Sequence, residues 1–320
     1  MELPGEFVRI ARYFKPLAGP GALELGDDAA VFAPPVGREL VVAADAMVAG
    51  VHFLADDPPD LVARKLLRTN LSDLAAMGAV PFGYLLTVSV PRGTPDAWFA
   101  AFSAGLAQDQ AEFGVALLGG DTTSTAGPVS LSLTIMGSVA PGQALRRNGA
   151  RAGDGIWVSG TIGDGALGLL AAQGAIVDGY LADRYRVPQP RLALGAALHG
   201  IAHAAMDVSD GLVQDLGHLC RESGVAAEIE AGWVPLSDAA RQVVAAEPGR
   251  LALCLTGGDD YELLFAVPPA LDAGLIEVAR AVGIPVTRIG AFRTGEPRVT
   301  VMGMDGAAMG LSRGGWSHFA

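Results

Sequence analysis

Asn70-Leu71-Ser72-Asp73-Leu74-Ala75-Ala76-Met77-Gly78 reads as the second half of a helix that opens near Leu61. Val62, Leu66, Leu67, Leu71 and Leu74 recur at helical spacing, and Gly78 with Pro81 beyond it marks the stop. Asn70 and Asp73 are three residues apart and so share one face. A carboxylate on a largely apolar helix is costly unless it is paired or metal-bound. Arg64 and Arg68 on the same helix offer a pairing. The alternative aims Asp73 into a metal site completed by acidic loops elsewhere in the chain.

Moving outward, those loops recur. Upstream, Glu6 to Phe14 reads as a short helix, and Gly26-Asp27-Asp28-Ala29-Ala30 sets two carboxylates behind a glycine. Glu39 to Ala44 reads as a strand ending at Asp45, and His52 follows among apolar neighbours. Downstream come a strand over Tyr84–Val90 and a helix over Pro95–Phe113. Val115–Leu118 then runs as a strand into Gly119-Gly120-Asp121. Ser130 to Val139 alternates as a half-buried strand does.

Residues 141–154 carry Gly, Pro and three arginines, Arg146, Arg147 and Arg151, with little periodicity, and read as a domain joint. The expected division is therefore 1–140 and 141–320. Arginine's planar fork suits phosphate oxygens, so this segment is either a solvated linker or a phosphate clamp.

The second half alternates again. It reads as a strand over Gly155–Ser159 and helices over Asp164–Gln173 and Pro190–Ala204. Asp207-Val208-Ser209-Asp210-Gly211 then leads into a helix that runs to Glu222, with Ser209 or Asp210 as its cap. Leu251–Leu255 leads into Gly257-Gly258-Asp259-Asp260-Tyr261-Glu262, and Leu263–Val267 resumes as a strand. A helix over Leu271–Val282 and strands near Val286–Ile289 and Arg298–Met302 follow. The tail Gly314-Gly315-Trp316-Ser317-His318-Phe319 offers Trp316 as an aromatic anchor.

Composition narrows the function. The 320 residues carry a formal charge of −12 and no basic run, which argues against nucleic acid and anionic membrane as partners. Charges interrupt every apolar run, and the start Met1-Glu2-Leu3-Pro4 lacks the basic opening of a secretion signal. Cys220 and Cys254 have no metal-ligand spacing and suggest no disulfide framework. A soluble cytoplasmic protein is expected. Lys15 and Lys65 are the only lysines among 22 Lys and Arg residues, and there is no P-loop pattern.

Asp27, Asp28, Asp45, Asp73, Asp121, Asp207 and Asp210 thus stand at strand ends or helix positions where one bland explanation each would have to recur seven times. Two carboxylates about 4 Å apart repel by roughly 4 kcal/mol at a protein site. Convergence of several requires cations, and oxygen-only donors select hard ions such as Mg²⁺ or Ca²⁺. Several carboxylate-held Mg²⁺ ions serve polyphosphate substrates. The residues alone therefore read as metal-dependent phosphoryl transfer without a P-loop.

The same motifs carry a resemblance. G-D-D-A-A (26–30), D-A-M-V-A-G-V-H-F (45–53), N-L-S-D-L-A-A-M-G-A (70–79), G-G-D-T-T (119–123), D-V-S-D-G-L (207–212) and G-G-D-D-Y-E-L (257–263) resemble, in order, those of the thiamine-monophosphate kinase family. The first and third patterns are shared with the wider aminoimidazole ribonucleotide synthetase superfamily.

The resemblance implies an α/β (α+β) synthetase-like fold. An N-terminal sheet domain would pair with a second subunit's to form a homodimer, and a C-terminal α/β domain would close the cleft. It implies phosphorylation of thiamine monophosphate by ATP to thiamine diphosphate, the final biosynthetic step. Asp28, Asp45, Asp73, Asp121, Asp207 and Asp210, with Asp27 beside them, would bind several Mg²⁺ ions. Gly120, Asp121, Arg147 and Ser209 would hold ATP near the subunit junction. His52, Asp259 and Trp316 would contact thiamine monophosphate. No general base is expected, because the nucleophile would be an already anionic phosphate oxygen. Transfer would then be direct and in line, by alignment and charge neutralisation.

Where the family usually carries Ser or Thr before the aspartate matched by Asp45, this chain has Ala43 and Ala44. Metal contacts there would fall to backbone carbonyls or water. The alternatives are another ATP-dependent enzyme of the superfamily, or a non-catalytic divalent-cation or nucleotide-binding protein. The former includes a selenophosphate or purine-pathway synthetase and a hydrogenase maturation factor. No cysteine precedes Cys220, against the reactive N-terminal Cys or selenocysteine of selenophosphate synthetases.

Overall fold

The structure, a computed structural model, describes residues 5–317. Met1 to Pro4 and His318 to Ala320, including the chain's start and the last residues of its tail, lie outside the described residues. Contacts group the chain into two compact units. One holds residues up to 74 with 79–142, and the other holds 75–78 with everything from 143.

The first unit is a four-stranded sheet under two long helices. Its elements are α1 (Gly5–Arg9), β1 (Glu39–Val48), α2 (Pro59–Ala76), β2 (Val80–Pro91), α3 (Asp96–Phe113), β3 (Ala116–Thr125) and β4 (Ser130–Val139). The strand order is β1-β4-β2-β3, with β2 and β3 parallel and the other pairs antiparallel. α1 breaks at Arg9 into a wider π turn over Ile10–Phe14.

α2 is buried along nearly its whole length. Leu66, Leu67, Leu71 and Leu74 are fully buried, and so are Asn70 and Ser72. Leu74 reaches the sheet beside Gly137, where an added Cβ would meet its Cδ1 at 2.9 Å. α3 covers the same face, with Gln110 donating to the hydroxyl of the buried Tyr84 at 3.1 Å. The opposite face has no such helical cover among the described residues of the unit. Registered across it, Leu40, Val42, Val80 and Leu85 remain 40–58% exposed.

The second unit is a six-stranded mixed sheet, β10-β7-β9-β5-β8-β6, with helices packed against it. Its elements are β5 (Gly155–Ser159), α4 (Asp164–Ala172), α5 (Gly179–Arg186), α6 (Leu192–Ala197), β6 (Ala204–Asp207) and α7 (Leu212–Ser223). They continue with β7 (Ala226–Glu230), α8 (Asp238–Ala246), α9 (Arg250–Thr256), β8 (Leu263–Val267), α10 (Asp272–Ala281), β9 (Val286–Arg293) and β10 (Val299–Met302). Among the described residues no helix is long and apolar enough to cross a membrane.

Several expectations change. Asp45 and Asp121 lie inside β1 and β3, not at strand ends. Both strands run on because each has a registered partner through its acidic residue. The helix expected over Pro190–Ala204 is confined to Leu192–Ala197, because the chain turns at Gly200 (φ +74°) and joins the sheet. His203 N–H donates to Ala266 O at 2.9 Å as it enters. The run from Leu251 is helical. α5, α8 and β7 were not expected from the pattern.

Candidate active site

Within the first unit, Asn70 ties the central helix to the acidic strand. Its Oδ1 accepts the backbone N–H of Asp45 at 3.2 Å, and its Nδ2 donates back to Leu66 O at 2.9 Å. The two arginines of α2 are engaged by α3. Arg64 Nε donates to Asp109 Oδ1 at 2.9 Å, and Arg68 grips Asp109 through Nε (2.7 Å) and Nη2 (2.9 Å). Arg68 also reaches Glu112 at 2.5 Å. Asp73 itself is half-buried one turn further along.

Asp27, Asp28 and Asp121 line one cleft of about 260 Å³, together with Gly119 and Gly120. Gly120 is required there: at φ +157° an added Cβ would sit 1.8 Å from Leu86 O, so only glycine lets β3 lie this close to β2. Asp45 is not beside Asp121. The register runs Asp45, Leu133, Leu86, Gly120, whereas Asp121 is in the next row with Thr87. The two aspartates therefore sit on opposite faces of the sheet, three strand spacings or about 14 Å apart.

His52 closes a turn after β1. Its Nδ1 accepts the N–H of Val48 at 3.0 Å, and its carbonyl accepts from the buried Lys65 at 3.0 Å. The ring is half-buried and is shaped by this turn.

Within the second unit the predicted residues come together. β6 delivers Asp207, and the loop Val208–Gly211 enters α7 through Gly211, not through a Ser209 or Asp210 side-chain cap. The cap comes from within the helix: Asp215 Oδ2 accepts the N–H groups of Ser209, Asp210 and Gly211 at 3.0, 3.0 and 3.1 Å. Burial, then the charges of Asp207 and Asp210, push the Asp215 carboxyl up to about 8. Three carboxylates are thus crowded at this turn.

The loop 257–262 packs directly onto it. Asp259 N–H donates to Ser209 O at 2.9 Å, and a Cβ on Gly258 would meet that same oxygen at 2.2 Å. Trp316 N–H donates to Asp210 O at 2.9 Å, while Gln214 donates to Trp316 O at 2.7 Å. The tail is pinned by its backbone, and the indole ring stays 46% exposed. The ring borders a cleft of about 630 Å³ with Asp210, Gln214, His218, Arg221 and Arg298. Burial, then the charges of Arg221 and of the exposed Arg147, lower the pKa of the His218 imidazole.

Among the described residues no three His, Cys, Asp or Glu side chains form a ready cage for one ion. The donors instead form separate acidic groups, all oxygen, with like charges crowded at Asp207, Asp210 and Asp215. That chemistry fits hard cations shared with an anionic ligand. Sequence reasoning missed Asp215, whose carboxylate holds the turn that presents Asp207, Ser209 and Asp210. A carboxylate one turn past an Asp-x-Ser-Asp-Gly loop was the available signal.

Residues 26–139 match the family AIR synthase related protein, N-terminal domain, and residues 151–302 match its C-terminal domain. A thiamine-monophosphate kinase of Caulobacter vibrioides is 46% identical, covering 98% of this chain and 91% of that protein. The crystal structure of thiamine-monophosphate kinase from Stenotrophomonas maltophilia K279a superposes with a TM-score of 0.81 at 43% identity, covering 89% of this chain and 91% of that one. A structure of AaThiL complexed with AMPPCP and TMP gives a TM-score of 0.78 at 30% identity, covering 92% and 91%. The chain belongs to the thiamine-monophosphate kinase family, built on the two AIR synthase related domains.

Proposed function

We infer that this chain transfers the γ-phosphoryl group of ATP directly to the phosphate of thiamine monophosphate, giving thiamine diphosphate and ADP. The observation that carries the reading is the full-length likeness to thiamine-monophosphate kinases, one of them solved with an ATP analogue and TMP. The gathering of Asp207, Ser209, Asp210, Asp259 and Trp316 in the second unit supports it.

Gly120, Asp121, Arg147 and Ser209 would hold ATP. Asp28, Asp45, Asp73, Asp121, Asp207 and Asp210, with Asp27, would hold Mg²⁺. The ions, when bound, supply neutralisation of the polyphosphate charge. His52, Asp259 and Trp316 contact thiamine monophosphate, the indole facing its cationic ring and the Asp259 carboxylate its amino or cationic end.

The assembly is a homodimer joined through the uncovered face of the first unit's sheet. Leu40, Val42, Val80 and Leu85, exposed on that face, support the reading. The setting is the cytoplasm. Both cysteines are free and buried, with burial pushing Cys220 up to about 11 and Cys254 up to about 12.

ADP release measured with and without thiamine monophosphate tests the reading. Release that depends on thiamine monophosphate is expected. Release independent of it, or absent throughout, contradicts the reading.

A further inference from the structure

Asp259 and Tyr261 both hold left-handed backbone, at φ +71° and +52°. Neither is glycine, so each carries a Cβ into a region that disfavours one. The other non-glycine residues with positive φ among those described, Leu23, Glu24 and Leu25, form one continuous turn. Here the two strained residues alternate with two buried acids. Asp260 is 1% exposed, and its carboxylate accepts the N–H groups of Gly163 and Gly165 at 2.8 and 2.9 Å. Glu262 is fully buried and accepts from Ser159 Oγ (2.6 Å), Arg184 (3.1 Å) and Arg191 Nε (2.6 Å).

Residues 260 and 262 are therefore anchored from below, and 259 and 261 are turned outward. The backbone is held from the other side as well: Asp259 N–H donates to Ser209 O at 2.9 Å, and Tyr261 N–H to Val208 O at 2.8 Å. Above the backbone, Tyr261 Oη donates to Asp259 Oδ1 at 3.2 Å. Strain of this kind persists where surrounding contacts over-determine it, and it concentrates at ligand sites. This turn places side chains that bond to each other at both strained positions. It keeps a carboxylate and the hydroxyl that sets its plane.

We propose that Tyr261 is a positioning residue, fixing the Asp259 carboxylate against the organic cation of the phosphorylated substrate. The inference rests on the thiamine monophosphate reading above. It adds Tyr261 as a determinant of affinity for that substrate and leaves the nucleotide untouched. The loss of one hydroxyl from the half-buried ring removes little packing, so its structural and functional roles separate.

The test is Tyr261→Phe, alone and combined with Asp259→Asn, by calorimetric binding of thiamine monophosphate and by steady-state kinetics. In the wild-type background, the dissociation constant and KM for thiamine monophosphate should rise three- to ten-fold. KM for ATP and the melting temperature should not move. In the Asp259→Asn background, Tyr261→Phe should add no further loss of binding. Unchanged affinity in the single variant overturns the proposal. So does a parallel rise in KM for ATP, or an equal loss in both backgrounds. Failure of the wild type to use thiamine monophosphate overturns the functional reading, and this inference with it.

Discussion

The carboxylate of Asp215 accepts the backbone N–H of Asp210 at 3.0 Å, from the first turn of the helix into which Asp210's own loop leads. The same oxygen holds Ser209 and Gly211, so one buried side chain shapes the whole turn that presents Asp207, Ser209 and Asp210. Asp215→Ala should leave three N–H groups without this acceptor, at about 1–3 kcal/mol. We expect a lower melting temperature together with a rise in KM for ATP of ten-fold or more. Asp215→Asn, which keeps one carbonyl oxygen, should fall between. Wild-type KM in a folded Asp215→Ala protein would show that the turn holds without the carboxylate.

The Arg68–Asp109 pair is a purely structural counterpart. Arg68 and Asp109 are both buried, and the pair joins α2 to α3. Asp109→Ala takes the bidentate carboxylate from a buried guanidinium that Glu112 and the Phe113 ring also contact, and should cost about 3–5 kcal/mol. Thermal melting is the check. The fraction that stays folded should keep its KM values, and a melting temperature within a degree of wild type would count against the pair as a brace.

Much of the first unit was legible because its periods are clean. α2 repeats leucine at helical spacing and β4 alternates, so both were placed within a few residues. The 190–204 stretch misled because apolar continuity does not show where a helix gives way to a sheet. The turn at Gly200 and the bond from His203 to Ala266 are tertiary facts. The aspartates were visible as a recurring Gly/Asp pattern. The acids beneath them were not distinguishable: Asp260 and Glu262 stand in the same motif as Asp259, and only burial sets them apart from it.

Asp73 is half-buried on a helix whose arginines are held by Asp109 and Glu112. As a cation ligand it should be indispensable to turnover and dispensable to folding. We expect Asp73→Asn to lose activity by orders of magnitude with an unchanged circular dichroism spectrum. Wild-type protein should be inactive in chelator and recover with Mg²⁺. Normal turnover by Asp73→Asn would remove the central helix from the site.

Burial pushes the Asp260 carboxyl up to about 8, against two backbone N–H donors that pull the other way. An unfolded aspartate titrates near pH 4. Because the folded value is raised, the group's contribution is fully present below about pH 4 and is lost as pH rises through about 8. The melting temperature should therefore fall between pH 5 and 8.5 by more in wild type than in Asp260→Asn. Parallel profiles would mean that the N–H donors hold the group ionised throughout.

The central claim is transfer of the terminal phosphoryl group of ATP to thiamine monophosphate. It is tested most directly by supplying [γ-³²P]ATP and Mg²⁺ with thiamine monophosphate, with unphosphorylated thiamine, or with a purine-pathway amidine. The account predicts label in thiamine diphosphate, equimolar with ADP, only when thiamine monophosphate is present. Label released solely as inorganic phosphate, or turnover only with the amidine, would contradict it.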